Sequence, residues 1–237
     1  MSEDSFFSSL LQALQACIAA LPMTLLLTGL SVVIGFVLAV PLAILHHRHV
    51  TWKARLVRAF VYVFTGTPLL SQMYVIYFGL ASLGWVGALM QQPGFGFMKD
   101  GLVWALLALI LNTAAYSTVI FSGAMRNTDT GEVEAARAYG MGPRQAIWRV
   151  VLPSSLRRAL PAYSNEVIMT MHSTSLASTI TIMEVTNAAN AFVTQTYQPF
   201  VAYTAAAIIY LLLTLTLVGG FRLLERRYMA HLRPRTS

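Results

Sequence analysis

Long apolar stretches alternate with short polar segments along the chain, at intervals that suit membrane-spanning helices. A bilayer core about 30 Å thick requires about 20 consecutive, mostly apolar helical residues. Five stretches meet this requirement; four are uncharged and the fourth contains a single carboxylate. They are Met23 to Leu45, Ala59 to about Leu80, Leu102 to Met125, about Ala162 to Met183 and about Phe200 to Phe221. The pattern predicts an all-α integral membrane protein with five transmembrane helices.

A separate amphipathic segment is predicted before the first span, within residues 1–22. Apolar side chains recur near one helical face between residues 6 and 21, and Gln12 and Gln15 lie off that face. These apolar residues are Phe6, Leu10, Leu14, Cys17, Ile18 and Leu21. Such a helix lies on a bilayer surface. Glu3 and Asp4, in place of Lys or Arg, argue against a cleaved signal peptide.

The basic residues predict the orientation of the five spans. Fifteen of the 16 Lys and Arg residues fall between spans one and two, between spans three and four, or after span five. Only Lys99 falls on the other side. Because Lys and Arg are enriched on the cytoplasmic side of membranes, the N-terminus is predicted outside and the C-terminus in the cytoplasm.

Composition supports a membrane protein and argues against other classes. Of 237 residues, 57% are hydrophobic and 11% charged, whereas soluble domains have about 25% charged residues. The net charge of +7 is spread among uncharged runs, which argues against nucleic-acid binding. No phosphate-binding loop, H-E-x-x-H or G-x-S-x-G motif occurs, so the chain has no evident catalytic apparatus.

Metal and redox chemistry have little support in the sequence. Cys17 is the single cysteine, so the chain cannot form an intrachain disulfide or a cysteine-rich zinc site. His46, His47 and His49 lie beside Arg48 at a predicted cytoplasmic helix end. We interpret them as interfacial residues, and no metal site is predicted.

The longest predicted cytoplasmic segment lies between spans three and four and contains its own helix boundaries. Asp129 or Thr130 can cap a first helix, and Gly140 suits the left-handed position that ends it. Pro143 suits the first position of a second short helix that ends before Pro153. The sequence therefore predicts a loop with two short helices.

Apolar and aromatic side chains of this loop are predicted to be exposed. They are Val133, Ala136, Tyr139, Ile147, Trp148 and Val151. Such residues either bind a cytoplasmic partner or pack on the membrane domain of the same chain. The sequence leaves both interpretations open.

Three motifs carry a resemblance to known proteins. The first resembles the E-A-A-x-x-x-G-(x9)-I-x-L-P signature of ABC-importer membrane subunits; its residues are Glu134, Ala135, Ala136, Gly140, Val150, Leu152 and Pro153. The second resembles the R-G-T-P-L-x-x-Q motif of permeases for polar amino acids; it covers residues 66–70 with Gln72, and Thr65 replaces the arginine. The third, residues 160–167 with 172–177, resembles M-type permeases for histidine and for lysine, arginine and ornithine, and the related arginine and opine permeases.

The resemblance implies one transmembrane domain over residues 1–237, acting as half of an importer by alternating access in the bacterial inner membrane. Its implied partners are a sister permease in a heterodimer, two copies of a cytoplasmic ABC ATPase, a periplasmic amino acid binding protein and membrane lipid. ATP and magnesium would bind the ATPase, so this chain would hold no cofactor and catalyse nothing. Residues 126–160 would be the coupling loop, with Glu134, Ala135, Ala136, Gly140, Leu152 and Pro153 as its contact residues.

Glu166 is the carboxylate of predicted span four. A charge at the centre of a span costs about 2.5–3.5 kcal/mol on insertion scales, so it usually faces a cavity or a partner. The resemblance implies that Glu166 lines a path for histidine, arginine, lysine or ornithine, with Asn165, His172, Ser173 and Thr174 as further polar contacts. The alternatives are a pair between Glu166 and Arg157 or Arg158, and hydrogen bonds between helices for the other side chains.

Two other functions are weighed against the importer. An ATP-independent channel or secondary amino acid carrier would need no cytoplasmic docking segment. An intramembrane hydrolase would use Ser122 with His172, although no nucleophile-elbow motif surrounds Ser122.

Overall fold

The structure, a computed structural model, describes residues 3–47, 51–80 and 82–229, with side chains from residue 6 onwards. These ranges form helices joined by short turns and contain no strand, which confirms the predicted all-α class for the described residues. Of the basic residues used to predict orientation, Arg48, Arg233 and Arg235 lie outside the described ranges, as does His49 of the histidine cluster.

Ten α-helices occur in the described residues. They are α1 Glu3–His47, α2 Trp52–Gly66, α3 Leu69–Tyr74, α4 Gly84–Met90, α5 Gly101–Arg126, α6 Thr130–Ala138, α7 Pro143–Ala146, α8 Leu152–Ser173, α9 Val185–Thr196 and α10 Pro199–Tyr228. Val75–Leu80 and Ile147–Val151 form π-helical turns, and Gly96–Lys99 and Thr174–Ile180 form 3₁₀-helices.

In the part of the chain that the structure describes, three helices are long and apolar enough to cross a membrane: Phe6–His47, Gly101–Arg126 and Pro199–Tyr228. A fourth span is possible if Trp52–Gly66 and Leu69–Leu80, bent by 108° at their junction, cross together. The region of the predicted fourth span falls on α8, which carries two arginines and Glu166 and packs against α1, α5 and α10. Its polar residues reduce its apolar character, so the count of five spans stays a prediction.

The N-terminal segment differs from the expected separate surface helix. α1 continues without a break through Pro22, and at 1.5 Å per residue its 45 residues extend about 67 Å. Ala13 and Cys17 are fully buried in a cluster with residues of α9 and α10, while Phe7 and Leu11 are exposed. Apolar side chains therefore lie on both the buried and the exposed side of this segment, and most of its predicted membrane-facing side packs on protein.

The directions of the main helices follow from their contacts. α1 and α5 run parallel, because Gly35 lies against Thr113 and His46 Nδ1 lies 2.9 Å from Ser122 Oγ. α8 runs antiparallel to α5: Thr170 Oγ1 lies 2.9 Å from Thr113 Oγ1, whereas the start of α8 meets the segment just after α5. Residues of α5 and α8 line a cavity between these two helices.

Gly35 allows the close approach of α1 to α5. A Cβ atom at this position would lie 3.0 Å from Thr113 Cγ2 and 3.4 Å from the Ala114 backbone nitrogen. Small residues allow such approaches between membrane helices. We expect Gly35→Leu to destabilise the helix pair by about 1–3 kcal/mol, the usual cost of overpacking, and to lower the melting temperature of the purified protein in detergent.

Gly29 offers a matched control for this prediction. It lies on the same helix, and a Cβ atom there would have no neighbour within 4 Å. Gly29→Leu should therefore retain the melting temperature. Equal melting temperatures for Gly35→Leu and the unmodified protein would show that the helix contact is not tight.

Candidate functional site: an acidic cavity and a cytoplasmic segment

A cavity of about 580 Å³ lies between α5, α8 and the break that separates α2 from α3. Its volume falls within the range of about 300–1,000 Å³ typical of small-molecule pockets. The polar side chains that line it are Thr67, Asn112, Thr113, Tyr116, Asn165, Glu166, Thr170 and Ser173. One ionisable carboxylate thus lies among uncharged hydrogen-bonding groups.

The break between α2 and α3 forms one wall of this cavity. Pro68 lacks a backbone N–H and disfavours helical geometry at Thr67, which is extended with φ −120° and ψ 148°. The helix therefore ends at Gly66, and the chain turns by 108° before α3 begins. Thr67, Pro68 and Leu69 face the cavity as a result.

Glu166 is 9% exposed and lines the cavity. Thr170 Oγ1 donates to Glu166 Oε1 at 3.5 Å, and Thr113 Oγ1 lies 2.9 Å from Thr170 Oγ1. Among the described residues Glu166 forms no ion pair with Arg157 or Arg158, and Arg158 pairs with Glu132 instead. The carboxylate is therefore available to a cationic ligand.

The other four predicted path residues divide into two groups. Asn165 and Ser173 line the cavity with Glu166. His172 faces α10, where its Nε2 lies 2.9 Å from Thr214 Oγ1, and Thr174 is fully buried and donates to the Met171 carbonyl at 2.7 Å. Hydrogen bonding within the helix bundle, the alternative left open by the sequence, thus describes His172 and Thr174.

Five polar lining residues were missed by sequence analysis: Thr67, Asn112, Thr113, Tyr116 and Thr170. Thr170 follows Glu166 by four residues and thus shares its helical face, a spacing that could have been used. Asn112, Thr113 and Tyr116 lie together in the middle of the apolar helix α5. Polar residues at such a position indicate a cavity or a partner, so this pattern could also have been used.

The segment between α5 and α8, predicted to be cytoplasmic, has the predicted first helix and turn. Asp129 caps α6, its Oδ1 accepting from the Gly131 N–H at 2.8 Å. Gly140 has φ +76°, and its N–H donates to the Arg137 carbonyl while the Met141 N–H donates to the Ala136 carbonyl. These two bonds form a Schellman motif, whose left-handed position favours glycine.

The predicted end of the second short helix before Pro153 is wrong. α7 begins at Pro143 as expected, but a π-helical turn over Ile147–Val151 joins it directly to α8. Proline is compatible with the first turn of a helical segment, and Pro153 lies at the start of α8 beyond this π turn. The cytoplasmic segment is thus continuous with the helix that carries Glu166.

One side of the cytoplasmic segment packs on the membrane domain. Val151 is buried with Ala39 and Phe121, and Val133 and Ile147 pack against the same cluster. Arg158 pairs with Glu132 and donates to the Asn127 carbonyl at 2.9 Å, and Thr128 Oγ1 lies 3.0 Å from Ser155 Oγ. These contacts join α6 and the two residues that follow α5 to α8.

The opposite side of the segment is exposed, with Tyr139 86% and Trp148 51% accessible. Among the predicted coupling residues, Glu134, Ala135, Gly140 and Pro153 are exposed, and Ala136 and Leu152 are buried. The interpretation that the segment packs on the membrane domain therefore describes one of its sides, and binding of a partner by the exposed side stays a prediction.

The serine–histidine pair considered for hydrolysis does not form. Ser122 is 1% exposed, and its Oγ lies beside His46, whereas His172 contacts Thr214. No group of three or more potential metal ligands occurs in the described ranges. Glu184 is fully buried and caps α9 by accepting from the Thr186 and Asn187 N–H groups.

The fold and these two regions define a helical membrane protein with an acidic cavity between its helices and a structured segment that joins α5 to α8. Residues 31–230 match the model of a family described as the inner membrane component of binding-protein-dependent transport systems. The chain belongs to this family, which confirms the resemblance found in the sequence.

Named relatives and a solved structure agree with this assignment. The chain is 44% identical to the histidine/lysine/arginine/ornithine transport system permease protein HisM of Escherichia coli (strain K12), over 90% of this chain and 89% of that protein. It is 40% identical to the octopine permease protein OccM of Rhizobium radiobacter, over 90% and 86%. A crystal structure of an amino acid ABC transporter with histidines superposes with a TM-score of 0.80 and 32% identity, covering 96% of this chain and all of that one.

A more distant structure shows the same fold. An inward-facing form of the MetNI methionine ABC transporter has a TM-score of 0.70 and 21% identity, and the match covers 96% of this chain and 99% of that chain.

Proposed function

We propose that the chain is the permease subunit of an ATP-driven, binding-protein-dependent importer of basic amino acids and forms half of the translocation path by alternating access. The observation that carries this proposal is the unpaired position of Glu166 at the acidic cavity. A buried carboxylate without a neighbouring cation is costly, and a guanidinium, ammonium or imidazolium group of a substrate would remove that cost. The substrates named for the HisM relatives, histidine, lysine, arginine and ornithine, have such groups.

The cytoplasmic segment supports an ATP-driven mechanism. Its exposed side presents Glu134, Tyr139 and Trp148, while its other side is fastened to α8. A separate ATPase bound to the exposed side could therefore move the helix that carries Glu166. In this proposal two ATPase copies bind ATP and magnesium, and this chain holds no cofactor and is not an enzyme.

The helix directions support the predicted topology of five spans with the N-terminus in the periplasm. Parallel α1 and α5 and antiparallel α8 are the directions that spans one, three and four require. A binding protein would then deliver the amino acid from the periplasmic side of the bacterial inner membrane. A sister permease would complete the path as a heterodimer.

Reconstitution into proteoliposomes tests this function. The vesicles would contain this chain, its sister permease and the ATPase, with the binding protein outside and ATP inside, and uptake of labelled arginine and histidine would be measured. We expect uptake only when ATP and binding protein are both present. Uptake driven by an ion gradient without ATP would overturn the proposal and favour a secondary carrier, and passive equilibration would favour a channel.

A further inference from the structure

Gln72 links the broken span to α5 but does not line the cavity. Its side chain is buried, and its Nε2 donates to the Phe64 carbonyl at 2.9 Å, the Thr67 carbonyl at 3.0 Å and Thr67 Oγ1 at 2.8 Å. Asn112, on the cavity wall, donates through Nδ2 to Gln72 Oε1 at 3.0 Å and to the Phe64 carbonyl at 3.2 Å. Two amides and the end of α2 thus form one hydrogen-bonded network.

The backbone carbonyls in this network determine the orientation of both amides. A carbonyl oxygen only accepts hydrogen bonds, so the Gln72 atom beside the Phe64 and Thr67 carbonyls must be the nitrogen. Gln72 Oε1 consequently points toward Asn112 and requires a donor. The Asn112 atom that faces Gln72 and Phe64 must therefore also be its nitrogen.

This orientation determines what Asn112 offers to the cavity. The two N–H donors of Asn112 bind two acceptors, Gln72 Oε1 and the Phe64 carbonyl. None of the hydrogen bonds found in the described residues uses Asn112 Oδ1. Asn112 lines the same cavity as Glu166. Its remaining polar atom is thus an acceptor, which is complementary to an N–H donor of a ligand.

We propose that Gln72 is a positioning residue that holds Asn112 with Oδ1 directed into the cavity, where Oδ1 accepts a hydrogen bond from a nitrogen of the bound cationic amino acid. Without Gln72, the Asn112 amide can turn and present its NH₂ group, which repels a substrate ammonium or guanidinium. Gln72 thus contributes to substrate choice although it lies outside the cavity lining. This inference rests on the proposed function, because its ligand is the substrate of that function.

Equilibrium binding tests the proposal on the assembled permease–ATPase complex in nanodiscs, with labelled arginine and labelled histidine as probes. Gln72→Leu is expected to weaken binding by about tenfold to a hundredfold, the effect of one hydrogen bond to a charged group. Asn112→Ala should weaken binding by a similar factor. The double variant should bind no more weakly than Asn112→Ala alone, because Gln72 acts through Asn112.

The matched control is Gln91→Leu, the same change at an exposed position after α4; it should bind as the unmodified complex does. If Gln72→Leu does not assemble, Gln72→Met provides a side chain of similar length without the hydrogen bonds. Unchanged affinity in the Gln72 variant, or a further loss of affinity in the double variant, would overturn the positioning role. Failure of the unmodified complex to bind either probe would instead count against the proposed function.

Discussion

Replacement of Glu166 by glutamine is expected to reduce ATP-dependent uptake of arginine and histidine by at least about 30-fold. Removing one member of a buried, hydrogen-bonded charge pair costs about 2 kcal/mol or more, and 1.36 kcal/mol corresponds to a factor of ten. Glutamine nearly preserves the shape of the side chain and can still accept from Thr170. Initial uptake rates in the reconstituted vesicles measure the effect, and copurification of the ATPase measures assembly.

Glu225→Gln is the matched control for this change. Glu225 lies near the end of α10, a helix that contributes no residue to the cavity among those described, so uptake should be retained. Glu166→Asp should have an intermediate rate, since it keeps the charge and shortens its reach. Uptake by Glu166→Gln at the rate of the unmodified complex would remove Glu166 from the substrate path.

Patterns local in sequence predicted the cytoplasmic segment well. Asp129 and Gly140 act through hydrogen bonds to residues within five positions of themselves, so their roles can be inferred from spacing alone. The predicted end before Pro153 was wrong because a proline at the start of a helical segment need not interrupt the chain direction. A π-helical turn joins the two parts, and no local residue signals it.

The cavity was predicted only in part because its walls come from three distant parts of the chain. Glu166 could be found as a carboxylate within an apolar region, but its neighbours depend on tertiary packing. Helical geometry at 100° per residue places Thr170 and Ser173 within about 40° of Glu166 and turns His172 about 120° away. The resemblance had grouped His172 with Glu166, whereas this angular relation separates them.

The same packing explains why α1 was predicted as two elements. α1 is longer than one membrane span, and hydropathy cannot show whether its additional residues contact lipid or other helices of the protein. Fully buried Ala13 and Cys17 show that this part of α1 packs against α9 and α10. Only the tertiary structure supplies that neighbour.

α8 connects the two regions of the proposed function. Arg158, which fastens the cytoplasmic segment, precedes Glu166 by eight residues, about 12 Å along a helix. A displacement of α6 would therefore reach the cavity wall through one continuous helix. If the proposed function is correct, the cavity and α6 should respond differently to mutation. Changes in the cavity should impair substrate transfer, and changes on the exposed side of α6 should impair the dependence of transfer on ATP hydrolysis.

Glu134→Arg and Gly140→Ala are therefore expected to uncouple the transporter while the membrane domain stays inserted. The first reverses an exposed charge on α6, and the second places a Cβ at φ +76°, where a residue other than glycine costs about 1–2 kcal/mol. We expect uptake to fall about tenfold in each variant. ATPase copurification and the stimulation of ATP hydrolysis by loaded binding protein should fall with it.

Gly140 and Gly142 provide an internal comparison for this second prediction. Both are exposed and have no atom within 4 Å of a Cβ position, but Gly142 has φ −65°, which any residue can adopt. Uptake and the stimulation of ATP hydrolysis should therefore be higher in Gly142→Ala than in Gly140→Ala. Gly140→Asn should recover part of the uptake lost in Gly140→Ala, because asparagine tolerates the left-handed region. An ATPase that stays bound and fully stimulated in Glu134→Arg and Gly140→Ala would mean that this segment is not the coupling element, and the exposed Tyr139 and Trp148 would then need another partner.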